Sequence, residues 1–561
     1  MKRITTLLGA LLLVLCFGAG QAVAADGGGA AQTAGQSAPS GQTADGSGSA
    51  YQAGPSNSAG SIRVLSPGNG GAVSQSNSTT AAAIAANANK TNQSTSQSQT
   101  GGFPGSDYTQ IAGQGAENKQ DADADANAVQ IAPSNSVGSI RVLSPGNDGD
   151  VTQSNSATAG AAALNGNQTD QSVDQSQAGG AAPSYADEKK PDDKSGSGSD
   201  YTQVAGQAAS NHQDADADAT AVQVKPSNTA SSIRVLSPGN DGDVSQSNDA
   251  TAVGIAANLN KTDQSIDQDQ SGTGQGSDYT QIAGQDASNK QDADADALAV
   301  QLKPSNSNES IRVLSPGNDG DVSQSNSATA VGIAANGNWT DQSIDQSQGG
   351  SYEPSCVRCE YPGEKSGYDK SGYGSDYTQI AGQEASNHQD ADAHATAVQL
   401  KPSNTNESIR VLSPGNDGDV SQSNSTTAVA AALNLNKTDQ SIDQSQAGSG
   451  HGSYLQVAGQ GAWSKQDADA GATALQFGAS NENKPIRVGS PGGGGSVDQS
   501  NDVTALAVAL NLNETCQRLM QEQTGKGSDA LQVGGQGSWD DQRGGAWSRA
   551  IQGGKKKHSK R

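Results

Sequence analysis

The chain has 561 residues, of which only 3 are Phe and 2 are Met; aromatic residues make up 3 % and the hydrophobic 32 % is mostly alanine. Alanine buries too little apolar surface to offset the entropy of ordering, so a set of ordinary domains with bulky cores is excluded. The net charge of −25 argues against nucleic acid as a partner, because phosphate binding needs clustered Lys and Arg.

In chain order, residues 1–24 read as a secretory signal peptide. Lys2 and Arg3 precede an apolar run from Leu7 to Phe17, and Ala22-Val23-Ala24 supplies small residues at a cleavage site. No later stretch is apolar and long enough for a membrane span. The expectation is a secreted chain, extracellular or held at the cell surface. Residues 25–50 are rich in Gly, Ser, Ala and Gln and read as a flexible leader.

Repeats fill the rest. SIRVLSPG begins at Ser61, Ser139, Ser232, Ser310 and Ser408, and a degenerate PIRVGSPG begins at Pro485. Each copy separates two long segments of strict alternation, the period of an extended chain. The first kind is Tyr201 to Gln223, where every second residue is an amide, a small residue or the tyrosine. The second is Val244 to Gln270, built on the same plan. The amide before the four small residues is Gln120, Gln213, Gln291, Gln389 and Gln466 in the first kind. In the second it is Asn155, Asn248, Asn326, Asn424 and Asn501, always 35 residues later. Return distances vary. A fixed spacer is under geometric constraint and a variable one is a loop that accepts insertions.

This spacing divides the chain. Residues 51–105 hold a partial first repeat, 106–198 a second with a long linker, 199–276 a third and 277–348 a fourth. An inserted linker with a Cys-x-x-Cys pair spans 349–374. Residues 375–450 are a fifth repeat, 451–527 a sixth, 528–553 a partial seventh and 554–561 a basic tail. Within the spacer, IRVL reads as a short strand and Ser-Pro-Gly-Asn-Asp-Gly as a tight turn.

The predicted fold class is all-β: a repetitive β-solenoid or stacked-strand architecture with Gly/Ser-rich loops. As single strands the long segments would reach roughly 75 Å at ~3.3 Å per residue. Turns inside them, near Asn-x-Asn or Gly-Gln, are the expectation. Small residues pack inside, and the amides stack in register and bond along the stack. The ladder residues are Gln207, Asn211, Gln213 and Gln223 in one segment, and Gln246, Asn248, Asn258, Asn260 and Gln264 in the other. The second segment also carries Val253, Ile255 and Leu259 on its opposite face, as a strand covered on both sides would.

The pattern from Gln207 to Ala215 resembles the Gln/Asn-ladder repeats of curli-type secreted amyloid subunits. The resemblance implies a stacked strand–turn–strand solenoid, assembly into surface fibres, and a role in matrix and adhesion. Only ladder amides such as Gln207, Asn211 and Gln213 carry over.

Other chemistry is sparse. Asp121/Asp123/Asp125, Asp214/Asp216/Asp218 and Asp292/Asp294/Asp296 form carboxylate strips whose oxygens suit Ca²⁺. The competing reading is a charged face that prevents wrong edge pairing. Cys356 and Cys359 are half a zinc site at best; in an exported protein a local disulfide or a mixed one is the better expectation. His212, His388, His394, His451 and His558 share no recurring partner, and no catalytic constellation stands out. The reading is therefore a non-enzyme, without cofactor. It is a secreted structural protein of the cell surface or matrix whose partner is itself, with the basic tail available to anionic wall polymer. An Asp-rich calcium-responsive surface and a largely disordered surface spacer are the alternatives.

Overall fold

A computed structural model describes residues 23–24, 30–100, 107–178, 199–272, 277–350, 375–448, 452–525 and 529–554. The signal-peptide run, both linkers with Cys356 and Cys359, His451, His558 and nearly all of the basic tail lie outside the described residues.

The described chain is strand and connection throughout. After a two-residue β1 (Val23–Ala24), each rung has a long strand, a nine-residue strand and a second long strand. The first rung is β2 (Ala30–Ala53), β3 (Ser56–Val64) and β4 (Val73–Thr100). The second is β5 (Tyr108–Ile131), β6 (Ser134–Val142) and β7 (Val151–Ala178). The third is β8 (Tyr201–Val224), β9 (Ser227–Val235) and β10 (Val244–Gly272). The fourth is β11 (Tyr279–Leu302), β12 (Ser305–Val313) and β13 (Val322–Gly350). The fifth is β14 (Tyr377–Leu400), β15 (Ser403–Val411) and β16 (Val420–Gly448). The sixth is β17 (Ser453–Phe477), β18 (Ser480–Val488) and β19 (Val497–Gly525), and β20 (Asp529–Gly553) is a lone seventh first strand.

Like strands of successive rungs pair in parallel, like residue beside like residue, as with Tyr279 beside Tyr377 and Gln291 beside Gln389. Sheet I is β1-β2-β5-β8-β11-β14-β17-β20, sheet II the six short strands and sheet III β4-β7-β10-β13-β16-β19. This is a β-solenoid. Sheets I and III face each other across an interior of alanine, with Ala215, Ala217, Ala252 and Ala256 fully buried. Corners turn on residues in the left-handed region, such as Lys303 (φ 53°) and Leu314 (φ 50°). The last rung uses Gly478 and Gly489 at the matching corners.

Three expectations are corrected. Residues 30–53 are not a flexible leader: they form β2, in full register with β5, so the first rung is complete. Gln32, Gln36, Gln42 and Gln52 fall on the ladder positions, and an ordered neighbour templates an otherwise loop-like composition. Second, the long segments contain no turn. Each runs unbroken for 24 to 29 residues, because flanking rungs supply a ladder partner at every position. Third, the outer face of sheet III is not covered among the described residues: Leu259 is 55 % and Leu506 51 % exposed. Val253 stacks beside Val331 and Ile255 beside Ile333, which buries part of each, whereas Leu259 has Gly337 and Gly166 beside it.

Candidate functional site: side-chain ladders and their ends

All nine sequence-predicted ladder amides point inward and are buried. Each bonds its equivalent in an adjoining rung. Gln213 Nε2 donates to Gln120 Oε1 (2.7 Å) and to Leu259 O (3.0 Å), while its own Oε1 accepts from Gln291 Nε2 (2.8 Å). Gln207, Gln223, Gln246 and Gln264 repeat the pattern, donating to Gln114, Gln130, Gln153 and Gln171. Asparagine ladders run the other way: Asn211, Asn248, Asn258 and Asn260 donate to Asn289, Asn326, Asn336 and Asn338 of the next rung at 2.8–3.0 Å. Glutamine donors thus point toward the first rung and asparagine donors toward the last. For most of them the second amide hydrogen crosses the interior to an acceptor of the opposite sheet, a carbonyl for Gln213 and Asn258 and the Thr262 hydroxyl for Asn211.

Two further ladders run beside these. Tyr108, Tyr201, Tyr279, Tyr377 and Tyr454 stack with ring centroids 5.0–5.2 Å apart. Burial, then the neighbouring Tyr454, pushes the Tyr377 phenol up to about 12.

The second was missed in the sequence. Arg141, Arg234, Arg312 and Arg410 are buried; the last three bridge carboxylates of two rungs, while Arg141 pairs only with Asp148 of its own rung. Arg312 Nε meets Asp319 Oδ1 at 2.7 Å and its Nη2 meets Asp241 Oδ2 of the rung below at 3.0 Å. Its remaining donors reach Gly239 O and Asn318 O. The signal was present: an Asp follows each of these arginines by seven residues, but Arg63 and Arg487 of the end rungs have Gly70 and Gly494 there. Gly239–Asp243, which reads as a turn in preference to a calcium-binding glycine/aspartate repeat, supplies Asp241 to this ladder. A narrow channel of about 240 Å³ runs along the stack beside these groups, lined by Ser139, Asp148, Val151 and their equivalents.

The Asp triplets lie on the outer face of sheet I, where rungs bring like charges together. Asp123, Asp216, Asp294 and Asp392 occupy one row across neighbouring strands, which sit ~4.8 Å apart. Asp121, Asp214, Asp292 and Asp390 form the row on one side of it. Asp125, Asp218 and Asp296 form the row on the other, which ends on His394. The Asp216 side chain reaches solvent, yet packing between rows removes part of its water. That loss, then Asp218 and Asp294, raises its pKa to about 7. Asp294 is raised to about 6 by burial first and then Asp296. Asp123, Asp218, Asp292, Asp390 and Asp392 are raised for the same kind of reason.

This arrangement differs from the one expected of a calcium site. Asp121, Asp123 and Asp125 of β5, Asp214, Asp216 and Asp218 of β8, and Asp292, Asp294 and Asp296 of β11 are spread as open rows on straight strands. They are not gathered around a common point, because a strand without a turn cannot fold its own carboxylates into a cage. Asp125 stands at the N-terminal end of its row, exposed, with Ser47 rather than a carboxylate on the strand below. Among the described residues no group of three or more His, Cys, Asp or Glu is arranged to hold a metal ion. His212 and His388 lie on this outer face, their pKa values lowered mainly by burial. Cys516 is exposed on β19.

No protein-family model, curated protein or solved structure matches this chain. The geometry therefore carries the functional reading alone. No helix is long and apolar enough to cross a membrane, among the described residues.

Proposed function

We propose that this is a secreted structural protein of the cell surface or extracellular matrix, curli-like in its use of amide ladders, that associates with its own kind. The observation that supports the reading is the register: identical amides bond rung to rung for the whole height of the stack and then stop with open valences. Gln532, Gln536, Gln542 and Gln552 of β20 donate back to Gln456, Gln460, Gln466 and Gln476 and, among the described residues, have no further rung on their acceptor side. A long free strand edge is the usual template for pairing with another chain. The chemistry of the interior serves rigidity.

The test is association of the purified mature chain. Sedimentation over ~1–100 µM, electron microscopy and dye binding with and without sonicated seed should show concentration-dependent assemblies with β-type circular dichroism. Monomers at every concentration, indifferent to seed, would refute the reading.

A further inference from the structure

The two ends of the stack are not flush. Each interior strand of sheet I lies between two strands of sheet III. Gln93 of β4 donates to Gly115 O of β5, and Gln114 of β5 donates to Ser172 O of β7. The chain therefore climbs half a layer with each crossing. At the C-terminal end β20 stands half a layer beyond β19, giving a step along the whole strand length.

That step selects how a second copy fits. Placing β2 of another copy on β20, head to tail, continues sheet I. It also leaves sheet III short of one strand, an empty slot 29 residues long between β19 and the next β4, lined by unpaired backbone groups. A two-fold axis along the strands and between the sheets does better. It exchanges sheets I and III, so β20 of each copy lies beside β19 of the other and both steps are filled at one strand spacing. Such an axis leaves positions along the strand unchanged, so residues that face each other across one sandwich become lateral neighbours between copies. In the chain, Asn513 Nδ2 meets Asp540 Oδ1 (2.6 Å) and Gln552 Nε2 meets Asn501 O (2.9 Å). Between copies Asn513 then lies beside Asp540 of the second copy, Asn511 beside its Gln542 and Asn501 beside its Gln552.

The polarity of the ladders suits the Asn501–Gln552 contact best. Asn424, Asn434 and Asn436 each donate to the asparagine above, namely Asn501, Asn511 and Asn513. Those last three have no asparagine above them among the described residues. Asn511 Nδ2 donates within the chain to Arg543 O and Gln466 O, and Asn513 Nδ2 to Asp540 Oδ1 and Thr515 Oγ1, whereas Asn501 lies beside the free edge with its donor to spare. Gln542 and Gln552 donate backward and hold Oε1 toward the same edge. Donor therefore meets acceptor at Asn501 and Gln552, while Asn511 and Asn513 would exchange an intrachain acceptor for one of the second copy. Gln517 and Gln521 meet Gln536 and Gln532 of the second copy acceptor to acceptor, so one amide of each pair turns over.

The N-terminal end is blunted. Ala30 and Gly54 donate their N–H groups to the second rung, so alternation puts the nitrogen of Pro39 on the free edge, where it has no hydrogen to give. The strands β19 and β20 contain no proline. We infer that a second copy of this chain docks tail to tail on the β19–β20 step, giving a closed two-fold pair. The inference rests on the self-association reading above and narrows it to one end and one symmetry.

A cysteine pair tests it. Moving three residues on from Asn513 along β19, and three back from Asp540 along β20, puts Cys516 opposite Gly537 of the second copy. Both point outward, on opposite sheets of one chain, so they cannot join within it. A Cβ at Gly537 meets nothing within 4 Å. Directly opposed Cβ atoms lie ~4.5–5.5 Å apart, close to what a disulfide spans. The full mature chain with Cys356→Ser, Cys359→Ser and Gly537→Cys is oxidised with diamide. Most of the chain is expected as a covalent dimer, with none when Gly459→Cys replaces Gly537→Cys. Ser538→Pro, which removes an edge-facing N–H from β20, is expected to give a folded monomer by sedimentation and circular dichroism. Filaments or dimers that do not cross-link through position 537 overturn the tail-to-tail pair while leaving self-association standing. Monomer throughout overturns both.

Discussion

Replacing Gln213 by leucine isolates the ladder from the strand that carries it. The side chain is buried and makes three hydrogen bonds, to Gln120, Leu259 O and from Gln291. Each is worth about 1 kcal/mol net, and orphaning the buried Gln120 acceptor adds about 1–3 kcal/mol, partly offset by the apolar leucine. The expected cost is about 3 kcal/mol. The informative partner is the triple change Gln120→Leu, Gln213→Leu and Gln291→Leu. It removes more bonds, yet leaves the same number of broken ladder ends, one at Gln42 and one at Gln389, because the internal partners vanish together. Its cost should be about 3–4 kcal/mol, where independent sites would give about 9 kcal/mol. Urea unfolding followed by circular dichroism measures both. A triple variant near the additive sum, or a single variant within about 0.5 kcal/mol of the parent, would show that the amides do not act as a column.

The other predictions follow from the remaining rows. Arg312→Met should cost about 3–5 kcal/mol by leaving Asp241 and Asp319 underpaired in a buried setting, whereas Arg63→Met, with Gly70 in place of the carboxylate, should cost under about 1 kcal/mol in the same urea assay. Raised carboxylate pKa values at Asp216 and Asp294 mean that protons favour the folded state. That stabilisation is complete below about pH 4 and is lost as pH rises through about 6 to 7. Urea midpoints should therefore fall from pH 4.5 to pH 8 at low salt, less so with added salt, and Asp216→Asn should flatten the slope; a midpoint that rises over this window would contradict the row geometry. The Tyr377 phenol, raised to about 12, contributes stability that is present below pH 10 and lost through about pH 12. A spectrophotometric titration should show native tyrosine absorbance resisting ionisation at pH 11 until the chain unfolds.

How much was legible depended on whether the information is local. Alternation at Tyr201 to Gln223 marks an extended chain by itself, because side chains on a strand can only point one way or the other. The constant interval from Gln213 to Asn248 marks a rigid unit for a similarly local reason. Amide-rich alternate positions with almost no bulky apolar stock then leave stacking as the one way to satisfy buried carboxamides, and the nine predicted ladder residues lie on that inward face.

What only the tertiary structure decided is what depends on the next rung. Whether a 24-residue alternating segment bends or runs straight is set by the hydrogen-bond partners beside it, and parallel copies on both sides hold it straight. Residues 30–53 look like a linker by composition and become a strand because β5 offers a template in register. The carboxylates from Asp121 to Asp125 follow the same logic, since a straight strand lays them out as rows where a turn would have gathered them. Arg312 and Asp241 are far apart in the chain and reveal their bridge only when rungs are placed ~4.8 Å apart, because a repeat says which residues recur but not which copy each one reaches. The half-layer step between β19 and β20 is likewise a property of how the coils climb, and no pattern along the chain encodes it.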